Sequence, residues 1–235
     1  MCRVLSIILF VVSITATADA DTGSTDLATD RILRASCRIF AGNARGSGVI
    51  FDSDEDNYHV LTNAHVVGRV GNRVRLEFEH SGYRSGPIPG RVVRSHIARN
   101  TSIDLAIVEL PRSRFPGPMP VVPLAGVGFK DESSTVLTCG AQGGAAVSLQ
   151  RGHIVRRTTG LIYYKPEALP GRSGSPLFNE DGTFKENGGA TKPTKQDADL
   201  TNYQVVSDLT NLELWVKLPA LKTEWRHLDL KQLFA

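Results

Sequence analysis

Three short segments, in the order histidine, aspartate, serine, carry the side-chain types of nucleophilic catalysis. His65 lies in Thr-Asn-Ala-His-Val-Val at 62–67, Asp104 begins the apolar run Asp-Leu-Ala-Ile-Val, and Ser173 lies in Pro-Gly-Arg-Ser-Gly-Ser-Pro at 170–176. A serine hydroxyl is a good nucleophile only when a neighbouring imidazole takes its proton, and a buried carboxylate keeps that imidazole in the required tautomer. The sequence therefore predicts that His65 is a general base, Asp104 its orienting acid and Ser173 the nucleophile.

Each of the three segments, taken alone, has a plainer structural explanation. A histidine beside a strand end is usually a hydrogen-bonded core or rim residue, an aspartate opens many turns before a buried strand, and a serine often caps a turn. Their occurrence in one chain favours catalysis instead. The Gly-x-Ser-Gly setting of Ser173 also supplies the tight, exposed backbone that a nucleophile at a turn requires.

Much of the chain after residue 30 alternates between apolar and polar side chains, which is the pattern of half-buried β-strands. Val74, Leu76 and Phe78, for example, alternate with arginine and glutamate residues. The predicted strands span 37–40, 48–52, 59–62, 74–78, 91–95 and 105–110 in the first half, and 121–124, 134–139, 145–148, 153–157, 161–164, 176–179 and 203–206 in the second. Because the halves are similar in size and strand number, the sequence predicts an all-β fold with two six-stranded antiparallel barrels packed side by side.

A proline-rich connector separates the two halves. Residues 111–120 contain four prolines, which exclude a central strand and favour an extended link. We therefore expect a first barrel domain over residues 21–112, with the histidine and the aspartate, and a second over residues 113–235, with the serine.

Three further segments are predicted to lie outside the barrel strands. Residues 21–30 form a polar leader, and residues 182–201 form a polar, glycine-rich loop. Leucine, tryptophan and valine side chains at helical spacing after Asp208 predict a short C-terminal helix that ends before Pro219.

The first twenty residues have the pattern of a secretory signal peptide. Arg3 precedes an apolar run over residues 4–14, and small residues in Ala-x-Ala spacing follow up to Ala20. The apolar run is too short to span a bilayer, since a membrane helix needs about twenty residues. We therefore expect a protein that is secreted or periplasmic, with no stable membrane insertion after cleavage of residues 1–20.

Composition excludes several other function classes. The chain has 235 residues, of which 41% are hydrophobic, and this proportion is typical of a globular protein rather than a disordered one. The net charge of +3 is not concentrated in a basic stripe with interleaved aromatic residues, so nucleic-acid binding is disfavoured. The histidines and cysteines lack zinc-ligand spacing, and we expect no metal and no cofactor. Cys37 and Cys139 either form a disulfide or remain two buried free thiols.

From about Gly46 to Asp181 the chain resembles the trypsin-like serine peptidases of the chymotrypsin fold, particularly the protease domain of the bacterial HtrA/Deg branch. Their His, Asp, Ser order is the same, with intervals here of 39 and 69 residues. The matching motifs are Gly-Ser-Gly-Val-Ile-Phe at 46–51, Val-Leu-Thr-Asn-Ala-His-Val-Val at 60–67, Asp-Leu-Ala at 104–106 and Gly-Arg-Ser-Gly-Ser-Pro at 171–176.

The resemblance implies both a location and a mechanism. His65 and Asp104 are expected in the first barrel and Ser173 in the second, so that the reacting centre lies in the cleft between the barrels. The chemistry implied is acyl transfer, with an oxyanion hole formed by the backbone N–H groups of Gly171 and Ser173.

Four features depart from the family pattern or bear on specificity. Arg172 stands where trypsin-type zymogens carry an aspartate that receives a new N-terminus, and a cation cannot pair with an ammonium group. Ser175 replaces the second glycine of the serine motif, and the polar segment 182–201 stands where an apolar strand normally lines the primary specificity pocket. In an ungapped comparison Glu167 falls where trypsin-like enzymes set the charge of that pocket, although a solvated loop glutamate is the plainer interpretation.

The leading hypothesis is an exported serine endopeptidase that acts on a protein or peptide substrate. The alternative is a catalytically silent relative that keeps the double barrel as a binding module, and Arg172 with the unusual pocket segment supports it. An esterase of the α/β-hydrolase type is disfavoured because the serine motif lacks a strand-to-helix elbow. The oligomeric state is not indicated.

Overall fold

The computed structural model describes residues 22–80, 82–97, 104–122, 135–158, 161–165, 170–178, 184–187 and 204–207. The first half contains α1 (Thr22–Ala35), β1 (Ser36–Ala41), β2 (Ala44–Ser53), β3 (Asn57–Thr62), α2 (Ala64–Val67), β4 (Arg73–Glu77), β5 (Glu79–His80), β6 (Tyr83–Arg84), β7 (Ile88–Ile97) and β8 (Asp104–Pro111). The second half contains β9 (Thr135–Gly140), β10 (Ser148–Thr158), β11 (Leu161–Lys165), β12 (Pro176–Phe178), β13 (Phe184–Asn187) and β14 (Gln204–Ser207). Two 3₁₀ turns lie at Arg112–Arg114 and Gln142–Gly144.

The strands form two closed antiparallel barrels. The first has the order β1-β2-β3-β8-β7-β4 and the second the order β10-β11-β14-β13-β12-β9, and β5 and β6 make a separate two-stranded ribbon. The prediction of two six-stranded antiparallel barrels is confirmed. The boundaries expected at residues 112 and 113 remain a prediction, but strand β8 of the first barrel ends at Pro111, followed by a single 3₁₀ turn.

Alternation of apolar and polar side chains builds the first barrel. In β4, Val74 and Leu76 are buried whereas Arg73 and Arg75 are exposed, as the period of two requires. Gly90 lies where a Cβ atom would come within 2.7 Å of a Val108 methyl group, so glycine lets β7 approach the side chains of β8. Buried side chains of β4 and β8 therefore pack over the backbone of this glycine.

A single hydrophobic core joins the first barrel to one face of the second. Leu137, Cys139 and Phe178 of the second barrel pack in the same buried cluster as the core of the first, which includes Cys37. Both cysteines are free thiols. Burial raises the pKa of Cys37 far above its usual range and that of Cys139 to about 12. Of the two alternatives left open by the sequence, the structure contains the buried free thiols.

Two elements differ from the sequence-based prediction because tertiary contacts outweigh local polarity. Residues 22–35 form a helix rather than beginning as a polar leader, and buried Ile32 and Ala35 anchor its C-terminal end. The segment 184–187, predicted as loop, is strand β13, which pairs with β12 and β14. Backbone pairing in a closed barrel requires no apolar pattern from a short strand, and this explains the error.

Two predicted strands were wrong in whole or in part. Residues 145–147 are not a strand: the chain leaves a 3₁₀ turn and joins β10 only at Ser148. Residues 121–122 form no strand ladder, although the Val122 N–H donates a hydrogen bond to the Ile50 carbonyl at 3.0 Å.

Three sequence predictions lie outside the described residues: the signal segment 1–20, the helix expected after Asp208 and most of the loop 182–201. Within the described part of the chain, no helix is long and apolar enough to cross a membrane.

Candidate active site

A one-turn helix directly after β3 presents the candidate base. The turn α2 follows Asn63, and its Val66 and Val67 side chains are buried in the core, so that the His65 side chain points outward and is 41% exposed. The side chain of Asp104, at the first residue of β8, is 16% exposed. Antiparallel pairing of β3 with β8 aligns Thr62 with Ala106. The end of β3, which leads to His65, therefore lies beside the start of β8, which carries Asp104.

The candidate acid makes both hydrogen bonds that the proposed role requires. Asp104 Oδ2 is hydrogen-bonded to His65 Nδ1, and Asp104 Oδ1 accepts a bond from the His65 backbone N–H at 2.9 Å. The Asn63 side-chain amide donates to the Asp104 carbonyl at 2.6 Å and holds the start of β8 in place. A carboxylate that accepts from Nδ1–H leaves Nε2 as the unprotonated nitrogen of a neutral imidazole, which is the tautomer of a general base.

The loop that carries Ser173 has a backbone that only glycine tolerates. Gly171 has φ of 97° and Gly174 has φ of 87°, both in the left-handed region. The Ser175 N–H donates to the Arg172 carbonyl at 2.8 Å, closing a tight turn around the serine. Within the part of the chain that the structure describes, the N–H groups of Gly171 and Ser173 donate to no other group, which leaves both available to an oxyanion.

Ser47 of the first barrel holds this loop at two points. Its backbone N–H donates to the Ser173 carbonyl at 2.7 Å, and its hydroxyl donates to the Gly171 carbonyl at 2.9 Å. The same hydroxyl accepts a bond from the Ala141 N–H at 2.8 Å. This role of Ser47 is not predicted by the sequence, in which the Gly-Ser-Gly motif at 46–48 indicates only part of a strand.

The serine loop lies on the face of the first barrel that carries the histidine. A Cβ atom added at Gly46 would lie 2.7 Å from the Val66 methyl groups and 2.8 Å from the Ser173 carbonyl oxygen. The backbone of Ser173 is therefore next to the residue that follows His65. The structure therefore places the Ser173 backbone near the short helix that carries His65. Among the described residues, His65 is hydrogen-bonded to Asp104, and no hydrogen bond joins its imidazole to the Ser173 hydroxyl.

Arg172 points away from that region into the second barrel. The residue is only 2% exposed, and its Nη2 donates to the Ser148 carbonyl at 2.8 Å and to the Ser148 hydroxyl at 3.1 Å. Burial lowers the pKa of the Arg172 guanidinium. Its Nε and Nη1 atoms have no partner among the described residues. Arg172 therefore ties the serine loop to β10 and leaves the face of the loop toward the first barrel unobstructed.

Glu167, which an ungapped comparison aligns with the pocket position and which is more plainly a solvated loop glutamate, lies outside the described residues. The same is true of most of the polar segment 182–201, which stands where the pocket-lining strand is expected. Within the described ranges, no group of three or more His, Cys, Asp or Glu side chains is placed to hold a metal ion.

Comparison with known proteins identifies the family. The sequence model of the family described as the trypsin-like peptidase domain matches residues 46–184, which are more than half of the chain. The match begins at the Gly-Ser-Gly motif and includes the histidine, aspartate and serine motifs. The comparison with curated proteins gives no significant match.

Similar solved structures share the fold at low sequence identity. The chain is similar to Rv3671c of M. tuberculosis, solved as a serine-to-alanine mutant in an inactive form, with 21% identity, a TM-score of 0.61, and coverage of 85% of this chain and 92% of that one. It is also similar to the serine endoprotease from Yersinia pestis, with 18% identity, a TM-score of 0.61, and coverage of 82% of this chain and 65% of that one.

Proposed function

Because the chain belongs to the family of trypsin-like peptidase domains, we propose that it is an exported serine endopeptidase that hydrolyses peptide bonds through an acyl-enzyme. The observation that carries this proposal is the pairing of the His65 imidazole with the Asp104 carboxylate beside a glycine-flanked serine loop. Export rests on the signal-like segment 1–20 alone. Protein or peptide substrates follow from the peptidase family.

In the proposed reaction Ser173 Oγ attacks the carbonyl carbon of the scissile peptide bond while His65 Nε2 takes the hydroxyl proton. Asp104 stabilises the imidazolium that forms, through the bond to Nδ1. The tetrahedral oxyanion accepts hydrogen bonds from the N–H groups of Gly171 and Ser173, which other groups of the described chain leave free.

Collapse of that intermediate breaks the carbon–nitrogen bond. The imidazolium of His65 gives its proton to the leaving amine, and an ester links the acyl group to Ser173 Oγ. Water then attacks the ester, with His65 again taking a proton, and the acid product and the free serine are released.

A reagent that reacts only with activated serines tests the proposal. We expect a fluorophosphonate probe to label the native protein rapidly at Ser173 and to fail with Ser173→Ala, which also loses hydrolysis of an unstructured protein substrate. The matched control is Ser113→Ala, because Ser113 is exposed in the 3₁₀ turn that follows the end of β8 opposite to Asp104. Absence of labelling in the native protein would favour the silent binding module instead.

A further inference from the structure

A first-barrel arginine crosses to the second barrel close to the serine loop. Arg38, on β1, is 8% exposed and donates from Nη1 to the Gly144 carbonyl at 3.1 Å. Its Nη2 donates to a carboxylate oxygen of Glu77 at 2.8 Å and of Glu79 at 2.7 Å. Two carboxylates from the first half of the chain thus hold Nη2 of the guanidinium, while Nη1 reaches the second barrel.

Strand register builds this arrangement into the fold. Arg38 on β1 is directly opposite Glu77 on β4 in the antiparallel ladder, so the two side chains share one face of the sheet. Two carboxylates fix the planar fork of the guanidinium, and a hydrogen bond from a charged donor is about twice as strong as one between neutral groups. The direction of Nη1 toward Gly144 is therefore set by the first barrel.

The turn that Arg38 contacts is packed on the backbone of the predicted oxyanion hole. Gly143, in the middle of the 3₁₀ turn, donates from its N–H to the Pro170 carbonyl at 2.6 Å. A Cβ atom added at Gly171 would clash with the Ala141 carbonyl oxygen and lie 3.0 Å from the Gly143 nitrogen. Any displacement of the turn therefore displaces the Pro170–Gly171 peptide, whose nitrogen is one of the two predicted oxyanion donors.

We propose that Arg38 is a positioning residue for hydrolysis: it holds the 142–144 turn against Pro170 and Gly171, and thereby keeps the oxyanion donors aimed at the reacting carbonyl. Arg38 touches neither the triad nor the oxyanion, and it acts only through the turn. The proposal rests on the function proposed above. It requires that the turn without Arg38 be held across the barrels chiefly by the Ala141–Ser47 hydrogen bond.

The variant Arg38→Met, which keeps the length of the side chain and removes its donors, tests this role. We expect kcat to fall between about tenfold and a hundredfold, because small misplacements of a reacting geometry have effects of that size, while KM changes less than about twofold. The inhibition constant of a peptidyl boronic acid, which forms a tetrahedral adduct, should rise by the same factor as kcat falls. Arg38→Lys keeps one charged donor and should recover part of the loss.

The matched control is Arg75→Met, because Arg75 is exposed on the neighbouring strand β4 and its side chain makes no hydrogen bond or ion pair with the described residues. Hydrogen exchange measured by mass spectrometry gives a readout that does not depend on activity. Arg38→Met should speed exchange in peptides covering 141–144 and 170–175, and Arg75→Met should leave both unchanged.

The outcomes separate the two proposals. If the native protein neither reacts with a fluorophosphonate nor hydrolyses substrate, the peptidase proposal fails, and exchange at 141–144 and 170–175 still reports whether Arg38 holds the turn. If the native protein is active and Arg38→Met equals Arg75→Met in boronate affinity and in exchange, or raises KM alone, the positioning role is wrong. Should Arg38→Met not fold, Glu79→Gln, which removes one of the two carboxylates, must show the same losses at smaller size.

Discussion

The two halves of the candidate site are held in different ways. His65 and Asp104 are joined by contacts within the first barrel, through the pairing of β3 with β8 and the hydrogen bond from Asn63 to the Asp104 carbonyl. The serine loop, by contrast, takes two of its backbone hydrogen bonds from Ser47 in the other barrel. The candidate base and acid are thus assembled within one barrel, whereas the position of the candidate nucleophile depends on the contacts between the barrels.

This difference separates two kinds of substitution. A change within the His65–Asp104 pair alters the protonation chemistry and should leave the loop where it is. A change at the contacts between the barrels alters the position of Ser173 and Gly171 and should leave the imidazole and its carboxylate paired. Three measurements compare the two halves, in order of decreasing effect.

The largest effect is expected for Asp104→Asn. An amide in place of the carboxylate favours the wrong imidazole tautomer and cannot stabilise the imidazolium, and we expect kcat to fall by about 10⁴-fold, as the equivalent change does in a Ser-His-Asp peptidase. Steady-state hydrolysis of an unstructured protein substrate measures it. The matched control is Asp54→Asn, which alters another aspartate near a histidine, His59, at 3.5 Å in the same barrel; a comparable loss there would contradict a specific role for Asp104.

An intermediate effect is expected for Ser47→Ala. Loss of the hydroxyl leaves the Ala141 N–H and the Gly171 carbonyl without their partner, and the free energy of unfolding should fall by about 1–3 kcal/mol because a buried unpaired polar group is costly. Since Gly171 also loses its anchor, kcat should fall as well. Denaturant unfolding and steady-state kinetics together measure the two effects.

The control for Ser47→Ala is Ser85→Ala. The Ser85 hydroxyl also bridges two backbone groups, the Phe78 N–H at 3.0 Å and the Gly86 carbonyl at 2.6 Å, but both lie in the first half of the chain, between β4 and β7. Its loss should lower stability and spare kcat. Equal effects of the two variants on kcat would mean that contacts between the barrels do not position the nucleophile.

The smallest change is expected for alkylation of the two buried cysteines, since the native protein should not react. This measurement tests whether the core between the two barrels stays closed. Burial holds the pKa of Cys139 at about 12 and that of Cys37 far above its usual range, so the reactive thiolate is scarce at pH 8. Because the pKa values of both thiols are raised, the thiolate fraction, and with it the rate of alkylation, should increase only as the pH rises toward 12. Iodoacetamide at pH 8 should leave both cysteines unmodified in the native protein and modify both in denaturant; rapid modification of the native protein would mean that the core between the barrels opens.

The sequence predicted the fold well, for a physical reason. Alternating side chains along β4 and the apolar runs of β3 and β8 report burial directly, and burial defines a barrel. The His65 and Asp104 positions were predicted from motifs, and the structure pairs them by hydrogen bonds.

The sequence could not predict what depends on contacts between distant segments. Ser47 belongs to an ordinary strand motif, and only the docked serine loop shows what its hydroxyl does. Strand β13 is polar and was predicted as loop because its pairing partners, not its side chains, make it a strand. The direction of Arg172, away from the first barrel and toward Ser148, depends on its burial in the second barrel and not on any local pattern.

The double anchorage of the serine loop on Ser47 has a consequence for partial unfolding. A mild denaturant that separates the barrels before either one melts would leave the circular dichroism of the strands nearly intact, with the His65–Asp104 hydrogen bond still formed, yet it would stop turnover. Loss of hydrolysis along a urea gradient would then report the parting of two folded units rather than their melting.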